Sequence, residues 1–360
     1  MPHSPTLPDT MRAAVYRGKQ SVVIEEIPVP LPGPGEILIA VQSCGICHTD
    51  LKKIEYGLLP PPRIFGHETA GLVAAVGEGV SRFAPGDSVV AFHHIPCGQC
   101  FYCQRRLYAQ CETYKRVGIT AGFAPAGGGY AQYALVMPWI VERGVEKIPP
   151  GVSFDQASFV EPVNTCLKAV EQSGVASGDF ALVLGQGPIG LIFTMLLKHR
   201  GITTLTTDTM PARRAKSLRF GAAASLDPRA DDLTALARSH TSGRGADIAF
   251  VAASAPGIVE QAVRATRPGG RIVLFAQTSD KERIDLSGAD ICKDERMLTG
   301  AYSADIDLQS ESARLVFSGD IPVGELVTHR YPLSEIMAGF DRATHPDETS
   351  LKVVILPQET

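Results

Sequence analysis

The chain has 360 residues, 44% hydrophobic and 20% charged, with a formal net charge of −4 at pH 7. This is ordinary globular composition with room for two domains. A slightly acidic chain with no basic stretch interleaved with aromatics is a poor ligand for nucleic acid, and no apolar run reaches the roughly 18 residues that cross a bilayer. Neither nucleic acid nor membrane is therefore expected as a partner. The segment Met1 to Arg12, with three prolines, lacks the apolar core of a secretion signal. Eight cysteines in such a chain point to reduced thiols in a cytoplasm.

From residue 12 to about 145 the sequence predicts short strands broken by Gly and Pro. They cover Met11–Tyr16, Val22–Ile27, Glu36–Ser43, Ala70–Val76 and Ser88–His93, with turns at Pro32-Gly33-Pro34-Gly35 and Pro85-Gly86-Asp87. The pattern is that of an all-β, partly closed barrel. Within it stand Cys44-Gly45-Ile46-Cys47-His48-Thr49-Asp50 and Gly66-His67-Glu68. Cys97, Cys100, Cys103 and Cys111 follow with the spacing C-x2-C-x2-C-x7-C. Four thiolates in one loop close a tetrahedral zinc site with no open position, a structural arrangement; pairing into disulfides is the alternative, disfavoured by compartment.

After about residue 153 the rhythm changes. Phe154 to Ser173 has helical spacing. Strands then alternate with helices: strand Phe180–Leu184, helix Ile189–His199, strand Thr203–Thr207, helix Pro211–Phe220, strand Ile248–Ala252, helix Ile258–Thr266 and strand Arg271–Phe275. Such alternation demands a parallel sheet with crossover helices, so the class is α/β. Gly185-x-Gly187-x-x-Gly190, with Pro188 and Ile189 opening the helix, follows an apolar strand, the setting in which this motif binds a dinucleotide pyrophosphate. Eighteen residues beyond Gly190, Asp208 ends the next strand. A carboxylate there can accept both ribose hydroxyls of NAD and repels the 2′-phosphate of NADP; as a bland alternative it caps the helix ahead of Pro211. Arg213 and Arg214 lie near enough to bind a phosphate. After residue 299 the alternation stops, with helical Gln309–Ser318 and strand Lys352–Leu356 in the remainder.

Taken in order with Val160-Glu161-Pro162, these motifs resemble the zinc-dependent medium-chain alcohol and polyol dehydrogenases over essentially the full chain. The resemblance implies a GroES-like, partly closed β-barrel catalytic domain over 1–160, to which 300–360 returns. It implies a Rossmann doubly wound NAD-binding domain over 161–299. It further implies two Zn(II) per chain, with the catalytic ion on Cys47, His67, Glu68 and Glu161, the two glutamates alternating. Glu161 stands where related alcohol dehydrogenases often carry cysteine, so the sequence resembles the polyol (sorbitol, L-iditol) and threonine dehydrogenase branch.

By the same resemblance Thr49 takes the alcohol proton. The relay histidine expected three residues later is replaced by Lys52, so the proton leaves through water or through Glu68. His48 touches a cofactor phosphate or is simply solvated. Asp50 accepts the second ring N–H of His67 or caps a helix, and Cys44 packs as a small hydrophobe. The apolar segment Tyr56 to Pro62 is expected along one wall of the substrate cleft, which keeps an aryl or cyclic secondary alcohol open. The implied reaction moves hydride between a secondary alcohol and NAD. The alternatives are a simple-alcohol or aldehyde reductase, a zinc-free nucleotide- or quinone-binding relative, and a zinc-lobe nucleic-acid binder. Relatives imply a homo-oligomer, tetramer or dimer, with Arg271–Phe275 and the residues after it pairing between subunits. Cys166 and Cys292 are expected to be buried.

Overall fold

The structure is a computed structural model and describes residues 7–93, 95–113, 127–276 and 283–359. Residues 1–6 of the N-terminal segment discussed above lie outside them. The chain forms two compact units: Met1–Pro162 with Asp305–Gly319 and Val323–Thr360, and Val163–Ala304 with Asp320–Pro322.

In the first unit β1 (Thr10–Gly18) and β2 (Ser21–Pro28) form a hairpin, and β4 (Arg63–Ile64) joins β1 in a three-stranded sheet. A larger sheet is organised around β3 (Ile37–Gly45), which pairs with β5 (Glu68–Val76) and β7 (Tyr133–Val136). β6 (Ser88–Ala91) and β8 (Val145–Lys147) extend it beyond β5. β15 (Val327–Pro332) and β16 (Lys352–Leu356) extend it on the other side of β3. β3 is buried on both faces at most positions, which explains its run of Ile, Leu and Val. Its registers place the site: Gly45 faces Glu68 across β5 and Val354 across β16. Met11, Tyr16, Leu38, Phe65, Tyr130 and Phe340 lie in the core beneath.

The second unit holds β9 (Phe180–Leu184), β10 (Thr203–Thr207), β11 (Ala224–Leu226), β12 (Ala246–Val251), β13 (Thr266–Leu274) and β14 (Met297–Gly300). All pair in parallel in the order β11-β10-β9-β12-β13-β14. The strand order reverses at β9, and in open α/β sheets the crevice beyond the strand ends at that reversal receives ligands. Every residue of β9 is buried, so a central parallel strand reads as an unbroken apolar run.

Two expectations change. β13 lies between β12 and β14 and so is not an edge; the edge strands are β11 and β14. Cys292 is exposed, because its helix, Gly288–Cys292, buries none of its residues; Cys166 is buried as expected. No helix among the described residues is long and apolar enough to cross a membrane.

The glycine-rich turn yields a stability prediction. A Cβ on Gly190 would overlap the Gly185 carbonyl, whereas one on Gly187 would meet nothing nearer than Arg213 Nη1 at 3.9 Å. G190A should cost about 1–3 kcal/mol or more through overpacking of helix on strand. G187A should cost clearly less, and urea unfolding of the two variants compares them directly.

Candidate metal centres and nucleotide turn

β3 ends at Gly45, and Cys47, in extended backbone, caps the helix His48–Tyr56. β5 starts at Glu68, directly opposite Gly45. The turn before β5 depends on Gly66, whose φ of +98° favours glycine and whose added Cβ would stand 2.8 Å from both Cys44 Sγ and Tyr130 N. Together these elements bring one donor atom from each of Cys47, His67 and Glu68 to within 4.8 Å of one another. A thiolate, an imidazole and a carboxylate converging with a position to spare make a donor set that suits a catalytic zinc ion.

Asp50 orients this set. It is the third residue of its helix rather than the cap, and it is fully buried. Its Oδ2 accepts the Gly66 N–H at 3.1 Å and pairs with His67 Nδ1 at 3.0 Å, so Nδ1 carries the proton and Nε2 is left as the ligand atom. Burial raises the Asp50 carboxyl, but the His67 charge and these bonds outweigh it and hold the group below its ordinary range. Burial lowers His67, and the negative charges of Asp50 and Cys47 more than reverse that, leaving it well above its usual value. Charges that favour an imidazolium here equally favour a divalent cation beside the ring.

Glu161 stands outside the cluster. It lies in the first turn of the helix Val160–Ser173, with Oε1 3.6 Å from His93 Nδ1. Burial pushes its carboxyl up to about 7, with the His67 charge opposing and that of Glu68 adding. Cys44 is also outside: fully buried at the end of β3, its Sγ faces Thr69 Oγ1 at 3.7 Å and its thiol is pushed up by burial. Thr49 is half-buried and His48 exposed in the first helical turn. Beyond the helix, Tyr56 and Leu58 of the expected apolar wall are 58% and 62% exposed.

Two neighbours were missed from sequence. Lys352, which opens β16, is buried; its Nζ forms an ion pair with Glu68 Oε2 and donates to the Ile46 carbonyl at 3.0 Å. Gly45 makes room for that pair, since a Cβ there would collide with Glu68 Oε2 and approach Lys352 Cε to 2.8 Å. His93 is buried just beyond β6, its ring 5.4 Å from that of His67. The available signals were a lysine heading an apolar C-terminal run and a histidine ending another.

The sulfurs of Cys97, Cys100, Cys103 and Cys111 form a second cluster, again within 4.8 Å of one another. All eight cysteines are free thiols. Cys100 and Cys103 sulfurs stand 3.5 Å apart, and Cys97 and Cys103 3.9 Å. A tetrahedron with Zn–S bonds of ~2.3 Å has edges of about 3.8 Å, so the spacing fits zinc. Backbone N–H groups, that of Gln99 foremost, bring the Cys97 thiol down to about 6, while burial takes that of Cys103 up to about 12. Tyr108 ties the lobe to the segment Asp305–Gly319 through a hydrogen bond to Asp307 at 3.1 Å.

In the second unit Gly185 turns the chain at φ +94°, Gly187 caps the helix Pro188–His199, and Pro188 takes its first position. The helix N-terminus is thereby open to an anion. Asp208 Oδ2 accepts the Gln186 N–H at 2.7 Å and Oδ1 that of Met210 at 2.8 Å. Met210, not Asp208, caps the helix Pro211–Arg219. With Arg213 Nη1 near Gly187, the turn offers glycine backbone, a helix terminus and a cation, which fits a dinucleotide.

Residues 33–149 match the alcohol dehydrogenase GroES-like domain family and residues 188–317 the zinc-binding dehydrogenase family. The (R,R)-butanediol dehydrogenase of Neisseria gonorrhoeae is 31% identical over 363 residues, 96% of this chain and 99% of the relative. The L-threonine 3-dehydrogenase of Pyrococcus abyssi is 32% identical over 325 residues, 88% of each. Among solved structures, a zinc-binding dehydrogenase of Sinorhizobium meliloti 1021 bound to NADP superposes with a TM-score of 0.88 at 28% identity. That likeness covers 97% of this chain and 100% of the other.

Two predictions follow from the geometry. C103S should lower bound zinc by about one equivalent per chain, because a three-sulfur remnant leaves the tetrahedron open; elemental analysis of the purified protein checks it. K352M strands the buried Glu68 carboxylate, so the zinc-free protein should lose roughly 3–5 kcal/mol of stability. Zinc should narrow that loss by taking over the neutralising charge, which unfolding with and without metal measures.

Proposed function

The chain belongs to the zinc-dependent alcohol dehydrogenases, and within that family we propose that it oxidises small secondary alcohols bearing a hydroxyl or amino group on the adjacent carbon, with NAD as hydride acceptor. The observation that carries the reading is the mixed donor set of Cys47, His67 and Glu68, with a further carboxylate, Glu161, held nearby against His93. The two named relatives support the substrate class. Butanediol with two stereocentres and threonine oxidised at C3 both place the carbinol carbon beside a carbon carrying a second heteroatom.

A zinc ion in the set would act as a Lewis acid on the alcohol oxygen and make its proton easier to remove. In this reading Cys47 and His67 would hold the ion, with Glu68 or Glu161 as the carboxylate ligand. Asp50 fixes the His67 ring, and Lys352 is paired with Glu68. Thr49, two residues beyond Cys47, would accept the alcohol proton while passing its own hydroxyl proton on to water or to Glu68; His48 is left without a catalytic role. The glycines Gly185, Gly187 and Gly190, with Pro188, Ile189 and Arg213, hold the pyrophosphate. Asp208 has acceptor positions left for ribose hydroxyls after its two backbone bonds, and its charge disfavours a 2′-phosphate.

The same reading takes the protein to work in the cytoplasm, since the thiols of the metal lobe must stay reduced. It also takes the working form to be a homo-oligomer, dimer or tetramer. Of the two edge strands, β11 and β14, we take β14 for pairing between subunits, since it follows Arg271–Phe275 in the chain and its Met297 is 55% exposed.

NAD reduction by the zinc-replete protein should be fastest with vicinal diols and amino alcohols, slower with primary and aryl secondary alcohols, and lost on chelation. A rate that survives chelation, or that is highest with primary alcohols, would overturn the assignment. C47S should cut kcat/KM at least about a hundredfold, because Lewis-acid catalysis supplies several kcal/mol, while circular dichroism stays as in the parent.

A further inference from the structure

We propose that Asp227 is a specificity-determining residue that keeps NADP out by occupying Arg214 and Arg229, the guanidinium groups that a 2′-phosphate would otherwise recruit. The inference rests on the NAD reading above and extends it to a second carboxylate.

The geometry is set by the β10–β11 pair. These strands run in parallel with Thr207 beside Leu226, and the Asp208 N–H donates to the Leu226 carbonyl at 3.0 Å. Asp227 therefore stands beside Asp208 at the carboxyl ends of adjacent strands, where nucleotides bind in sheets of this kind. Two arginines reach this point from different elements. Arg214, on the helix Pro211–Arg219, donates from Nη1 to the Asp208 carbonyl at 2.8 Å and to Asp227 Oδ2 at 3.3 Å. Arg229, two residues past Asp227, forms a two-pronged pair with it, Nε to Oδ1 at 2.9 Å and Nη2 to Oδ2 at 2.7 Å. Its Nη2 also reaches the Thr209 carbonyl at 2.9 Å.

The planar guanidinium fork that grips a carboxylate in this way is the group that best grips a phosphate. Without Asp227, two arginines beside the Asp208 backbone would form a phosphate site out of residues already in place. With it, Arg229 is held by both prongs and Arg214 by its Nη1, and the anion they face is one the protein supplies. Asp227 is fixed in turn by its own backbone: its N–H donates to Asp231 Oδ2 at 2.8 Å, and its Oδ1 accepts the Arg229 N–H at 3.0 Å. The bonds from Arg229 keep its carboxyl far below the ordinary range, so the carboxylate is ionised at any working pH. Arg213 takes no part in this lock, since its guanidinium lies beside Gly187. Arg229 is 66% exposed, and Arg214 and Asp227 are half-buried at 21% and 17%, so solvent reaches the pairs and their removal should be tolerated.

The test is direct binding, which needs neither substrate nor catalytic metal: fluorescence titration of the full-length protein with NADH and with NADPH at fixed ionic strength. The parent should bind NADPH at least tenfold more weakly than NADH. D227N should tighten NADPH binding at least tenfold and move NADH binding less than threefold. Adding R229M or R214M to D227N should cancel most of that gain. Asp227→Ser, which keeps an acceptor for the Arg229 N–H, serves the same purpose if D227N fails to fold by circular dichroism. A parent that discriminates while both Asp227 variants, folded, bind NADPH within twofold of it would overturn the proposal and leave the NAD reading standing. A gain that survives loss of both arginines would also overturn it, as a general charge effect. A parent that binds the two cofactors equally would overturn both.

Discussion

Buried negative charge is the constraint around which the first unit is built. Asp50, Glu68 and Glu161 are all buried, the first completely, and Cys47 adds a sulfur donor beside them. Each carboxylate taken from water costs several kcal/mol unless it is paired and hydrogen-bonded. Lys352 neutralises one of them, and the histidines His67 and His93 stand against two others. The donor atoms of Cys47, His67 and Glu68 converge among these groups, and a divalent cation there would add positive charge beside the buried carboxylates.

What the sequence disclosed follows the reach of its signals. The cysteine knuckle and the glycine-rich turn are local: their residues lie within fifteen positions of one another, and the chemistry depends on spacing that can be read off directly. Parallel strands are legible because central ones are apolar throughout, and Phe180–Leu184 and Thr203–Thr207 appear in the structure at the bounds their composition suggested. Lys352 was not legible, because it reaches Ile46 across 306 positions by way of the β16–β3 pairing. No periodicity within the terminal strand says that its first residue faces a carboxylate. The same holds for His93, and for one edge of the second sheet, which depends on a short strand, Met297–Gly300, lying beyond the last one the sequence rhythm announced.

Asp208 shows how one residue can satisfy both a structural and a functional reading without matching either as first framed. Its carboxylate does not cap the following helix; it bridges the glycine-rich turn to its own exit turn by accepting from Gln186 and Met210. That bridge fixes the distance between the two strand ends that a dinucleotide must span. Carboxylate oxygens have lone pairs beyond those two bonds, so structural employment orients the group for a ligand rather than consuming it.

Cys44 and Cys47 make the general point most economically. Their spacing is that of a zinc pair, and spacing alone would assign both to the metal. Cys44 lies within β3, facing a core in which burial keeps its thiol protonated and Thr69 is its polar neighbour. Three residues on, the strand has ended, the chain has turned at Gly45 and Ile46, and Cys47 is half-buried at the start of a helix, beside His67 and Glu68. The end of one strand thus separates two identical side chains into a packing residue and one that stands in a mixed donor set. In the knuckle that follows no such separation occurs, because its four cysteines share one loop whose N–H groups turn toward their sulfurs. Donor type and local backbone together, more than residue identity, distinguish the four-sulfur cluster from the mixed set of Cys47, His67 and Glu68.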